Sequence, residues 1–173
     1  MKYLKISLLI FLFLNTFNYL YSAELYFVDM KKILNQSKAG KSAQEYLKKK
    51  MAEESKKLDK EQASLKKEET DLIAKKKLIT PEEYKKNLDA LRKKNIEHQK
   101  KRQGAATGIF QKKEKARLEL NKALKPILEK YMSENNISVV IDKKNIVVAK
   151  TEIDLTDKIL KLLDKELKSI NLK

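Results

Sequence analysis

Between Lys41 and about Leu78 the chain has neither glycine nor proline, and Met51, Leu58, Leu65, Leu72 and Ile79 recur every seven residues. A seven-residue period belongs to a helix laid along another helix, but a full seam needs a second apolar position in each heptad. Here the positions three or four further on are Glu54/Ser55, Glu61/Gln62, Glu68/Glu69 and Lys75/Lys76, with Ala52, Ala63 and Ala74 nearby. The pattern predicts a long helix whose seam is one residue wide and packs weakly. Thr80-Pro81-Glu82-Glu83 then stops it and starts another: threonine at the N-cap, proline at the first helical position, and a glutamate placed to close a capping box. The second helix is expected to reach about Glu134, with Tyr84, Leu88, Leu91, Ala105, Ile109, Ala116 and Leu120 on one face. Its lower half is richer in apolar residues (Leu118, Leu120, Leu124, Ile127, Leu128, Tyr131, Met132), and Pro126 is expected to kink it. Two such helices joined by a tight turn form an antiparallel hairpin.

Shorter patterns flank the hairpin. Leu25-Tyr26-Phe27-Val28 reads as a strand, and Asp29 after it can cap a short helix from Met30 through Leu34, with a break at Ser37–Gly40. Ser138–Ile141 and Ile146–Ala149 are β-branched runs on either side of Asp142-Lys143-Lys144-Asn145 and are expected to form a β-hairpin. A final helix after Asp154 has a wide apolar face made by Leu155, Ile159, Leu160, Leu162, Leu163, Leu167 and Ile170. Three strands this short do not make a stable sheet alone, and exposed strand edges seek partners. The fold expected is α+β and mostly α. Its small β body spans 24–40 and 136–173, and a helical-hairpin arm spans 41–135. Copies of the chain are expected to meet through Leu25, Phe27, Val139, Val140, Ile141, Ile146, Val147 and Val148.

The first residues bear on compartment. Lys2 and Lys5 precede the apolar run Ile6–Leu14, and small residues follow near Ser22-Ala23. That is the order of a secretory signal peptide, and the run is shorter than the ~20 residues of a spanning helix. Residues 1–23 are therefore expected to be removed, with cleavage after either Ser22 or Ala23. The alternative is an uncleaved anchor, because Phe17, Tyr19 and Leu20 prolong the hydrophobicity.

Composition sharpens this picture. Charged residues are 37% and aromatics 7% of 173, with three glycines and two prolines, which is the make-up of long helices rather than of a compact globule. The formal charge is +16, or +14 without Lys2 and Lys5. Such a field favours acidic polypeptides, an anionic membrane surface or nucleic acid. There is no cysteine and one histidine, His98, so His/Cys metal spacing is absent. Three scattered glycines make no phosphate-cradling loop. Nothing here points to an enzyme, a cofactor or a metal, and His98 reads as a polar contact between helices.

The charge is concentrated between Arg92 and Arg117. Arg92, Lys93, Lys94, Lys100, Lys101, Arg102, Lys112, Lys113, Lys115 and Arg117 face only Glu97 and Glu114 there. The first eight are the candidate ligand-facing residues. The run lacks the interleaved aromatics of nucleic-acid binders, so nucleic acid is not the expected partner. Gly104-Ala105-Ala106-Thr107-Gly108 sits inside it. These residues read either as a flexing point, since each glycine costs a helix about 1 kcal/mol, or as small residues that let the helices approach closely.

Two segments carry a family resemblance. Tyr26-Phe27-Val28-Asp29-Met30-Lys31-Lys32-Ile33-Leu34 with Ser37 and Gly40 is similar to the opening strand and helix of the Skp/OmpH family of periplasmic chaperones. Val139-Val140-Ile141-Asp142, Val147-Val148-Ala149 and Ile153–Leu160 resemble its closing segment. The resemblance covers nearly the whole chain after residue 23. It implies a periplasmic homotrimer whose arms enclose a cavity, where unfolded outer-membrane proteins are held without ATP. Weakly packed arms can splay around clients of different size, and a positive cavity attracts acidic chains. The alternatives are a membrane-anchored coiled-coil stalk resembling the ATP synthase b subunit, and a basic protein that compacts nucleic acid. Neither of them needs a β body.

Overall fold

The computed structural model describes residues 24–172, so the expected signal peptide lies outside the described residues. Strand β1 (Leu25–Val28) leads at once to Asp29, whose side chain accepts the Lys32 amide at 2.7 Å and opens helix α1 (Met30–Gln36). Ser37 then serves two helices. Its amide donates to the Ile33 carbonyl at 3.1 Å and closes α1, while its hydroxyl accepts the Gly40 amide at 3.1 Å and opens α2 (Lys38–Ala74). A Cβ on Gly40 would stand 1.9 Å from the Leu34 carbonyl oxygen, so the close approach of the two helices requires glycine.

Helix α2 ends in a single 3-10 turn at Lys75–Lys77, and Thr80 starts α3 (Pro81–Glu134) by accepting the Glu83 amide at 3.2 Å. The expected stop and restart fall where the Thr-Pro pair dictates. Helix α3 runs through Pro126 as one element; the proline removes a hydrogen bond from the ladder without ending the helix. Its end is set by Asn136, at φ 54°, with the Ile137 amide donating to the Met132 carbonyl at 2.9 Å. This left-handed turn closes the helix and sends the buried Ile137 into the core.

Strand β2 (Val139–Asp142) lies parallel to β1, pairing Leu25 with Val139, Tyr26 with Val140, Phe27 with Ile141 and Val28 with Asp142. This corrects the expected β-hairpin. The Asp142 side chain accepts the Lys144 amide at 3.3 Å and Lys143–Asn145 form a 3-10 turn, so the chain does not reverse onto β2. Ile146–Ala149 form no strand, and Val147 and Val148 are 99% and 88% exposed. Beyond them the Leu155 amide donates to the Phe27 carbonyl at 2.9 Å, against β1.

Helix α4 (Thr156–Glu166) begins in a polar lock. Thr156, almost fully buried, accepts the Asp29 amide at 2.8 Å through its hydroxyl, and its own amide donates to the Asp154 carboxylate at 2.8 Å. The starts of α1 and α4 are thereby tied together. One core joins Val28, Ile33, Ala39, Ile137, Leu155, Ile159 and Leu163 to Leu120 and Leu124 of α3, so the base of the hairpin is built into the body. The apolar face expected of the last helix is present, but α4 stops at Glu166 and Leu167 turns extended. The tail beyond it lies back on the hairpin, where Leu172, 2% exposed, packs with Ala43, Ala116, Tyr46, Leu47 and Ile170.

Candidate functional site

The hairpin is held by a thin seam. Leu65 and Leu91 are buried, Leu58, Leu72, Leu88 and Ile109 are half-buried, and Met51 is 57% exposed. A seam with one large apolar residue per heptad excludes water only in places. Between those places polar contacts hold the register. His98, 5% exposed, has its Nε2 3.0 Å from the Leu58 carbonyl oxygen, to which it donates. The polar interhelical contact expected of the histidine is what it makes.

The basic residues sort into four groups. Lys94 pairs with Glu68 at 2.6 Å and Lys101 pairs with Glu61, both across the hairpin, so these two lysines fasten α3 to α2. Arg92 and Arg117 pair within α3, with Asp89 at 3.2 Å and Glu114 at 2.7 Å. Lys112 is turned to the tail: its ammonium donates to the Leu172 carbonyl and lies 5.7 Å from the centre of the Tyr46 ring. Lys93, Lys100, Arg102 and Lys113 have no carboxylate partner among the described residues. Lys93 and Lys100, seven apart, share one face of α3; Arg102 and Lys113, eleven apart, share another. Four of the eight candidate cations are therefore free to meet a ligand.

The free cations sit among apolar side chains that heptad counting passes over. Ile96, Phe110 and Leu118 on α3 are 55%, 62% and 60% exposed, as is Leu78 near the tip at 81%. Leu118, expected with the apolar lower half, points outward. An apolar residue off the seam in an otherwise polar helix was the available signal. Along the seam itself two furrows share Met51 and Ile109. One, of about 510 Å³, runs past Leu58, Ala105, His98 and Arg102; the other, of about 670 Å³, runs past Leu47, Ala116 and Leu120 at the root. The close-approach reading of Gly104 and Gly108 is overturned, because a Cβ on either would meet nothing within 4 Å.

Among the described residues no three His, Asp or Glu side chains are grouped to hold a metal ion, and no helix is long and apolar enough to cross a membrane. The arrangement can bind by charge and by apolar contact along a pliable surface.

The class of protein is thus an α+β body carrying a long helical-hairpin arm. The sequence profile of the outer membrane protein (OmpH-like) family matches residues 24–163, and the chain belongs to that family. Among solved structures, the fold is similar to that of a candidate OmpH-like outer membrane chaperone from Caulobacter crescentus CB15. The TM-score is 0.80 at 22% identity, covering 85% of this chain and 87% of that one. No curated protein sequence matches it. Family membership leaves the reading as a b-subunit-like stalk without support.

Proposed function

We propose that this chain is a holdase chaperone that keeps unfolded outer-membrane proteins soluble in the periplasm, without ATP. One observation carries the reading. The arm exposes isolated apolar side chains (Ile96, Phe110, Leu118) on the same helix as the unpaired cations Lys93, Lys100, Arg102 and Lys113. A surface of that kind grips an unfolded acidic chain at many weak points. Membership of the OmpH-like family supports it, and the similar Caulobacter crescentus structure is of a protein described as an outer membrane chaperone.

The working unit in this reading is a homotrimer. Residues 24–40 and 136–173 form the joining body, and 41–135 form the arm. Strand β2 has β1 on one side and no strand on the other among the described residues, and Val139 within it and Val147 and Val148 after it are exposed. Leu25, Val140, Ile141 and Ile146 complete the joining surface, whereas Phe27, 5% exposed, is already enclosed by its own chain. Export by a cleaved signal peptide would leave the mature chain at +14. The same free cations could rest on an anionic membrane surface.

The test is dilution of a urea-unfolded outer-membrane β-barrel protein into buffer with and without the mature chain, followed by light scattering. Suppressed scattering without nucleotide, together with a native mass of three chains, is the expected result. Unchanged scattering with the chain in molar excess would overturn the reading.

A further inference from the structure

At the root of the arm the two helices part on both flanks of one seam. Ala43, Leu47 and Ala116 lie in the middle. From them Tyr46 and Lys112 turn to one flank, which the tail fills, and Gln44, Lys48, Met51 and Lys113 turn to the other, which is an open furrow of about 670 Å³. The filled flank shows what fits this pair of helices. Ile170 and Leu172 settle on the alanines in a non-helical stretch, and a lysine of α3 takes a backbone carbonyl. The open flank repeats those features. Its base is apolar, through Leu34, Leu47, Met51, Ile109 and Leu120, and Lys113, next in sequence to Lys112, stands on its rim with Lys48. No carboxylate lines it, and neither rim lysine has an ion pair among the described residues.

We infer that this root furrow binds an extended apolar segment of an unfolded polypeptide, with the segment's carboxylates held at the root end by Lys48 and Lys113. The inference rests on the holdase reading and names the subsite and the chemistry of what enters it. Polarity follows from the lining further out. Through Met51 and Ile109 the root furrow continues into the one beside Leu58 and His98, where Glu54 and Asp59 join the wall. The root furrow thus carries two unpaired lysines and no carboxylate, whereas the outer one sets Glu54 and Asp59 against Arg102, so acidic ends are favoured at the root. From Leu120 to His98 the helix rises about 33 Å at 1.5 Å per residue, which an extended strand covers in about ten residues.

The experiment uses the mature full-length chain and two fluorescent ten-residue peptides with the same apolar centre, one ended by Asp and one by Lys, read by anisotropy. The Asp-ended peptide should bind about tenfold more tightly, and the preference should vanish in the double variant Lys48→Glu, Lys113→Glu. Met51→Glu should weaken both peptides, while Leu78→Glu at the exposed tip should weaken neither; helicity by circular dichroism checks that each variant folds. A photo-crosslinking residue at the exposed Gln44 should yield peptide adducts. Equal affinity for both peptides in wild type and variants, with scattering of the β-barrel client still suppressed, would overturn the subsite and leave the holdase reading standing. Loss of suppression with the Asp preference intact would do the reverse. Adducts between two copies of the chain, in place of peptide adducts, would make the furrow an interface and overturn the inference.

Discussion

His98 on α3 donates its Nε2 proton to the carbonyl oxygen of Leu58 on α2, 3.0 Å away, where the heptad pattern would place an apolar side chain. One half-buried hydrogen bond thus stands in for burial that the seam lacks, and with the Lys94–Glu68 and Lys101–Glu61 pairs it holds the register between the two helices. Replacing His98 with Ala should cost about 1 kcal/mol, felt as faster amide exchange around Leu58 and His98. Exchange at Tyr26–Val28 should stay unchanged, because the body core has no contact with this pair.

The glycines should respond to alanine with opposite signs. At Gly40 the new methyl would meet the Leu34 carbonyl at 1.9 Å, so Gly40→Ala should destabilise the body by about 3 kcal/mol. At Gly104 the methyl would meet nothing within 4 Å, so Gly104→Ala should stabilise the arm by about 1 kcal/mol. Thermal unfolding followed by circular dichroism reads both. A stabilised Gly40→Ala would contradict the geometry.

Lys32 and Asp157, 2.6 Å apart, tie α1 to α4 on the outside of the body. The hydrogen bond from Lys32 holds the Asp157 carboxyl below its usual range, and the same bond raises the Lys32 ammonium. A lowered acid pKa stabilises the fold above the pKa of the unfolded carboxyl and is lost as pH falls through the folded value; a raised lysine pKa is lost only as pH rises past it. Stability should therefore be flat with respect to this pair between about pH 5 and pH 9 and fall at either extreme. Asp157→Asn should remove its share of the acid-side loss, measured by urea unfolding at a series of pH values.

Charge reversals should separate by group. Reversing the unpaired Lys100 and Arg102 to Glu should slow client capture while leaving arm stability nearly unchanged. Reversing Lys94 and Lys101 should open the arm, because each then faces Glu68 or Glu61 with like charge. Wild-type capture should slow as salt shortens the Debye length from ~10 Å at 0.1 M to ~3 Å at 1 M. Stopped-flow capture and hydrogen exchange together distinguish the two groups. Equal rates for wild type and Lys100→Glu/Arg102→Glu at every salt concentration would reduce the free cations to a solvated face.

Amide protection should follow burial. Amides from Leu65 to Leu91, around the turn at Lys75–Lys77, should exchange far faster than those at Ile33, Leu124 and Ile159 in the core. Equal protection in arm and body would mean that the thin seam is stiffer than its side chains allow.

Much of this was legible in the sequence wherever the determining interactions are local. Thr80-Pro81 marks the tip, Ser37 the break before the arm, and Met51 to Ile79 the seam, because each depends on neighbours within a turn or a heptad. The partner of β2 was not legible. Two β-branched runs four residues apart suggest a hairpin, but the actual partner of Val139 is Leu25, and the Asp142 side chain turns the chain away before the second run can pair. The division of the basic run was hidden for the same reason. Lys94 meets Glu68 and Lys101 meets Glu61 only once the two helices have a register, which a one-residue seam barely encodes. The docking of Leu172 had no periodic signal at all, since it follows the end of α4 and rests on two alanines.

The pairing of Leu25 with Val139 also sets an order of assembly. Bringing two such distant points together through a flexible chain costs on the order of 4 kcal/mol in loop entropy, more than a four-residue strand pair returns. The turn at Thr80, by contrast, closes over a few residues, and from it the helices can zip one heptad at a time toward the root. Each step shortens the slack between the two ends until β1 and β2 arrive side by side. The arm is in this sense the scaffold on which its own body is built, and a defect at Thr80, which touches no strand, would register as late formation of the sheet.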